Sequence, residues 1–135
     1  MSIFVDTSVW SLALRRDTPV DCAHVNALRR SLSAGETVIT TGLVLQELLQ
    51  GFAGPKSKAQ ILEHFSALPL LIPEREDHVA AASLRNECRR AGVQAGTIDA
   101  LIAQLCLRHD LTLLSADQDF RHIARHCRLK LWNAT

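Results

Sequence analysis

Short apolar runs alternate with longer stretches of helical periodicity along the chain, and this alternation sets the expected elements. Residues 2–5, Ser2 followed by the apolar Ile3-Phe4-Val5, form a run too short for a helix and typical of a strand buried on both faces. A second short strand is expected at 37–39. Residues 68–72 contain Pro69 and are followed by Pro73, so a third strand there belongs at a sheet edge, where a missing N–H is tolerated. Residues 111–114 read as a fourth strand and 128–131 as a short last one. Between them the periodicity predicts helices over 9–14, 20–33, 42–51, 56–66, 76–91, 97–109 and 118–126. Gly35, Gly51 and Gly92 stand where helix C-terminal caps are expected. Strands alternating with helices predict an α/β domain on a mostly parallel sheet. The ligand crevice of such sheets lies at the carboxyl ends of the strands, where strand order reverses.

Length then bounds the picture: 135 residues, 47% of them hydrophobic, suffice for one well-buried core but not for two ordinary domains, so residues 1–135 are expected to be one domain. The chain opens Met1-Ser2-Ile3-Phe4-Val5-Asp6 without a basic segment or a cleavable apolar stretch, and no apolar run approaches the roughly 20 residues of a membrane span. A soluble cytoplasmic protein with no membrane partner is expected. Cys22, Cys88, Cys106 and Cys127 are widely separated and read as reduced thiols packed as small hydrophobes. His24, His64, His78, His109, His122 and His126 are scattered and suggest surface or capping roles. Net charge is only +1, so bulk electrostatics does not point to nucleic acid. The basic residues are nevertheless mostly arginine, the better phosphate ligand, with local groups at Arg15-Arg16, Arg29-Arg30 and Arg85/Arg89-Arg90.

The acidic residues change the picture most. Asp6, Glu47, Asp99 and Asp117 each abut an apolar segment, where a bare carboxylate costs several kcal/mol unless it is paired, hydrogen-bonded or bound to metal. Each has a bland alternative. Asp6 and Asp117 serve equally well as helix N-caps, Asp99 as a first-turn acid two residues after a capping Thr97, and Glu47 as a solvated helix residue. Taken together, four acids at the rim of one α/β sheet suit a hard divalent cation such as Mg²⁺ or Mn²⁺, which prefers oxygen ligands. One or two such ions activate water for phosphodiester hydrolysis without a protein nucleophile.

The sequence Phe4-Val5-Asp6-Thr7-Ser8-Val9-Trp10 resembles the opening of PIN-domain ribonucleases, especially the VapC toxins of bacterial toxin–antitoxin pairs. The resemblance continues through the segment 40–51 around Glu47, through Gly96-Thr97-Ile98-Asp99-Ala100-Leu101, and through Leu113-Leu114-Ser115-Ala116-Asp117-Gln118-Asp119-Phe120, in family order and with family-like spacing. It implies a three-layer α/β/α fold on a parallel sheet of about five strands. It also implies Mg²⁺- or Mn²⁺-dependent endoribonuclease activity, with Asp6, Glu47, Asp99 and Asp117 as metal-site carboxylates; Asp119 is either an accessory acid, as in many relatives, or a residue on the outer face of its helix, the two being equally expected. Ser115 stands where many relatives carry Thr and keeps the hydroxyl; Thr7 and Ser8 either support the site or cap the first helix. The implied substrate is a structured RNA such as a transfer or ribosomal RNA, cut to leave 5′-phosphate and 3′-hydroxyl ends. The implied partners are a VapB-like antitoxin lying over the acidic groove and a second copy of the chain. Trp10, Leu12, Leu14 and the helices of 42–66 offer apolar surface for either contact, although core packing is the expected fate of most of them. Two rivals remain: a PIN scaffold that only binds RNA or protein, and a receiver-like signalling domain, which needs an acceptor Asp after the third strand that 68–75 lacks.

Overall fold

The computed structural model describes residues 2–15 and 22–133. Five strands form one parallel sheet: β1 (Ser2–Val5), β2 (Thr37–Thr41), β3 (Leu70–Leu71), β4 (Thr112–Leu114) and β5 (Lys130–Leu131), in the order β3-β2-β1-β4-β5. Seven helices join them: α1 (Thr7–Ala13), α2 (Ala23–Ser33), α3 (Gly42–Gly51), α4 (Pro55–Phe65), α5 (Arg75–Arg90), α6 (Thr97–Arg108) and α7 (Gln118–Ile123). Every expected strand and helix exists among the described residues. The expected helix over 20–33 begins at Ala23, with positions 20 and 21 outside the described residues, as is Arg16 of the Arg15-Arg16 pair.

Packing divides the helices into two groups. α1 contacts α2 and α3, and α3 contacts α4; on the other side α6 contacts α5 and α7. Right-handed crossovers leading outward to β2 and β3 place α1–α4 on one face, and those leading to β4 and β5 place α5–α7 on the other. The result is a three-layer α/β/α sandwich. β1 is central, and Ile3, Phe4 and Val5 are 2%, 0% and 0% exposed, which explains an uninterrupted apolar strand with no polar face. Strand order reverses beside β1, where the chain passes from β3 across the sheet to β4. A receiver-like domain of the flavodoxin type carries the order 2-1-3-4-5, so the sheet excludes that rival.

Local expectations fail where capping chemistry was misread. Gly35 (φ 70°) and Gly92 (φ 83°) do terminate α2 and α5 in the left-handed conformation. In each case the next residue's N–H reaches back to the helix, Glu36 to Ser31 (3.0 Å) and Val93 to Cys88 (2.8 Å). Gly51 instead stays helical, and Phe52 closes α3 through its N–H to the Leu48 carbonyl. Asp110 (φ 52°) closes α6 in the same left-handed manner as Gly35 and Gly92, with Leu111 N–H on the Cys106 carbonyl (2.9 Å). Trp10 packs in the core, the fate expected for most of that apolar set: it is 3% exposed and packs tilted on Phe65 with ring centroids 4.9 Å apart. Cys88 and Cys106 are buried thiols, as their apolar surroundings suggest. Among the described residues no helix is long and apolar enough to cross a membrane.

Candidate active site

Register builds the site. Val5 of β1 pairs with Leu114 of β4, so the residues that follow them, Asp6 and Ser115, leave the sheet side by side at its carboxyl edge. The Asp6 N–H continues the ladder onto the Leu114 carbonyl (3.2 Å). Asp6 occupies the N-cap position of α1, yet its side chain does not cap the helix. Its two carboxylate oxygens instead accept from Ser8 Oγ (2.6 Å) and Ser115 Oγ (2.7 Å). Ser8 Oγ in turn accepts the Ala116 N–H (3.0 Å), and Ser115 Oγ accepts the Asp117 N–H (3.0 Å). The buried Asp6 is therefore locked by hydroxyls that are themselves oriented by the β4–α7 turn. Burial holds its carboxyl above the usual range, a shift opposed by the two serines and reinforced by Asp117.

The other acids arrive from helix starts. α7 begins at Gln118, so Asp117 is its N-cap and accepts the Asp119 N–H (2.9 Å). Asp99 lies in the first turn of α6, but the cap there is Gly96 rather than Thr97, which is the first helical residue. Asp99, Asp117 and Asp119 bring carboxylate oxygens within 4.8 Å of one another. Glu47, delivered by α3, is exposed, and Thr7 Oγ1 donates to it (3.0 Å). Glu47 and Asp117 are rim residues open to water, and Asp119, for which an accessory acid and an outer helix face were equally expected, joins the acidic group.

Electrostatics ties the five together. The Asp99 carboxyl is pushed up to about 6, first by burial and then by Asp117, Asp119, Asp6 and Glu47. Like charges this close destabilise each other's ionised forms, and a divalent cation relieves that cost. The donor set, all carboxylate oxygen with no thiol or imidazole, fits a hard cation such as Mg²⁺ or Mn²⁺. Cys106 is buried next to this region and stays a thiol, pushed up to about 12 by burial and by Asp6. It is not available as a nucleophile or metal ligand at neutral pH.

Two cavities flank the acids. One, of about 370 Å³, is lined by Arg85, Arg89, Gln94 and Gly96; the Arg85 Nε–H is fixed on the Ala95 carbonyl (2.9 Å), and Gly96 neighbours the Asp99 carboxylate. Of the arginine groups noticed in the sequence, this one lies beside the acids. The other cavity joins Ser115 and Asp117 to His24 and Trp132. No sequence signal announced those two rings, because over a hundred residues separate them and neither belongs to a motif.

The PIN domain family profile matches residues 3–126. Ribonuclease VapC11 of Mycobacterium tuberculosis is 29% identical over 130 residues, covering 95% of this chain and 96% of the relative. Among solved structures, VapBC2 from Rickettsia felis bound to a fragment of promoter DNA superposes with a TM-score of 0.74 at 23% identity, covering 98% of each chain. FitAcB from Neisseria gonorrhoeae gives 0.72 at 25% identity, covering 99% and 98%.

Proposed function

The chain belongs to the PIN domain family, and from that premise we propose that it is an endoribonuclease, the toxin of a type II toxin–antitoxin module. The observation that carries the reading is the convergence of Asp99, Asp117 and Asp119 within 4.8 Å, beside a buried Asp6 locked by two serines and with Glu47 on the rim. Supporting it, full-length relatives carry the name VapC ribonuclease, and structural neighbours are VapBC complexes.

In this reading Asp6, Glu47, Asp99 and Asp117 hold Mg²⁺ or Mn²⁺, with Asp119 as a further ligand. When bound, the cation supplies Lewis-acid charge that acidifies water and offsets negative charge on the phosphodiester. The chain's own residues do the rest. Ser8 and Ser115 keep the Asp6 carboxylate ionised and aimed at the rim, against the burial that would protonate it. Thr7 orients Glu47. Asp99, half-buried among the other acids, is the carboxylate whose ionised form a bound cation would favour most. Arg85 and Arg89 attract the polyanion toward Asp99.

The substrate in this reading is a transfer or ribosomal RNA in the cytoplasm, cut to 5′-phosphate and 3′-hydroxyl ends. The partner is a VapB-like antitoxin that places a cationic side chain among the carboxylates, and the active form is a homodimer of single-domain chains. The test is to incubate purified, antitoxin-free protein with total cellular RNA in Mg²⁺ or Mn²⁺ and in EDTA, and to map new 5′ ends. Discrete metal-dependent cuts are expected; intact RNA from a folded protein in either metal moves the function to a non-catalytic PIN scaffold.

A further inference from the structure

The cavity on the β5 side of the acids is chemically unlike the rest of the rim. The ladder between β4 and β5 runs on from Leu113 paired with Leu131, and the Trp132 N–H reaches the Leu113 carbonyl (2.9 Å). Trp132 is thereby fixed at the carboxyl edge of the sheet, near Ser115. From across the rim, His24 in the first turn of α2 meets it edge-on, with ring centroids 5.1 Å apart and planes at 64°. Both rings are half-buried, and together with Ser115, Asp117 and the exposed Arg121 they line a cavity of about 390 Å³. Its floor is closed by buried Phe120. Arg121 makes no ion pair among the described residues, so its guanidinium is not tied to a carboxylate, although Asp117 lines the same cavity.

We propose that this cavity is a nucleobase subsite, which takes one unstacked base of single-stranded RNA next to the phosphodiester that is cut at the acidic site. The inference rests on the reading of the acids as an RNA-cleaving site and adds the feature that selects where the strand is cut. Three observations favour a base. The cavity lies at the small end of the roughly 300–1,000 Å³ typical of small-ligand sites, enough for one nucleoside and too little for a duplex. Its walls offer π faces, the feature that recognises splayed-out bases, with a guanidinium for the adjoining phosphate or for base acceptors. It also shares Ser115 and Asp117 with the acidic site, so a base seated there is one nucleotide step from the reacting phosphate. A base paired in a helix cannot present its face to Trp132, so the subsite restricts cleavage to loops and single strands.

The experiment reads binding apart from cleavage. Trp10→Phe leaves Trp132 as the sole tryptophan of the chain. In EDTA, that protein is titrated with a five-residue RNA and with an abasic strand of equal length and charge, following tryptophan fluorescence. Saturable quenching by the base-bearing strand is expected, with the abasic strand binding at least about tenfold more weakly. Trp132→Phe, which keeps a ring, should stay within about threefold of the parent and Trp132→Leu should fall about tenfold. Arg121→Gln and His24→Ala, at the cavity wall, should each weaken binding and test the subsite even if the leucine variant does not fold. With metal added, the leucine variant should spread cleavage over new positions while the phenylalanine variant keeps the parent pattern. Equal affinity for abasic and base-bearing strands overturns the proposal, as does quenching by an acidic peptide but not by RNA. Base-dependent quenching without cleavage in any metal upholds the subsite while refuting the nuclease.

Discussion

Asp6 shows how one residue's chemistry is set by its neighbours. A carboxylate 5% exposed at a strand end is costly, and Ser8 and Ser115 make it tolerable by donating to both oxygens. Ser115→Ala removes one donor and leaves Asp6 shifted further toward its protonated form. Cleavage should fall about 10- to 100-fold, the usual cost of losing a group that orients a ligand, and Ser115→Thr should restore it. Asp99 makes the complementary prediction in the metal-free protein. Its folded-state carboxyl sits at about 6 against an ordinary 3.8, so the folded state holds the proton longer than the unfolded state does. The stability this confers is complete below about pH 4 and is lost as pH rises through 6. Asp99→Asn, a neutral isostere, should therefore melt at a higher temperature than wild type in EDTA at pH 7, with the gap closing at pH 4. Divalent cation should raise the wild-type melting temperature more than that of the variant; an identical rise in both would remove Asp99 from the cation site. Asp77 responds oppositely: the Glu74 N–H and Arg108 outweigh its burial and hold it below the usual range, so its contribution is lost as pH falls. Comparing wild type with Asp99→Asn cancels that term.

Elements place these residues, and their ends matter more than their middles. α5 and α6, which carry the Arg85/Arg89 wall and Asp99, are joined where Arg108 at the end of α6 bridges Asp77 and Glu74 at the start of α5. Both helices end at their C-termini in left-handed caps. Gly92 (φ 83°) has open space around a hypothetical Cβ, so Gly92→Ala costs backbone strain alone, about 1 kcal/mol. Asp110 (φ 52°) pays a similar strain and gains only an exposed contact to Lys130, so Asp110→Gly should raise stability by roughly half to one kcal/mol. Chemical denaturation of the two variants should move the midpoint in opposite directions. Helix ends also mark what the sequence disclosed at this scale. Apolar periodicity placed every strand and helix, since burial dictates it, but Gly51 was taken for a cap because glycine permits a left-handed turn without requiring one. Thr97 was read as the cap of α6 on propensity alone, although the chain places Gly96 there.

At the scale of the molecule, the switch point beside β1 turns four separate motifs into one site. Parallel strands with right-handed crossovers deliver Asp6 and Asp117 from adjacent strands, and start α3 and α6 at the same edge to bring Glu47 and Asp99. The acids were legible because their setting is local: each abuts an apolar run. The partners that shape them were less so. Ser115 on Asp6 spans 109 residues, Thr7 on Glu47 spans 40, and His24 against Trp132 spans the sheet rim, so each depends on register that composition does not encode. Asp119 was ambiguous for a different reason, since a one-residue change in where α7 starts would turn it from the cluster to solvent. Topology also settled the rival receiver fold, a choice that alternating elements alone left open.

If the clustered carboxylates hold a divalent cation that activates water, RNA cleavage must depend on both the acids and the metal. The most direct measurement follows one defined RNA, chosen from the mapped cuts, with wild type, Asp6→Asn and Asp99→Asn, each in Mg²⁺ and in EDTA, with folding verified by thermal denaturation. Cleavage by wild type in Mg²⁺ alone is expected, with its loss in both folded variants. Undiminished cleavage by either variant, or cleavage that survives EDTA, would contradict that dependence.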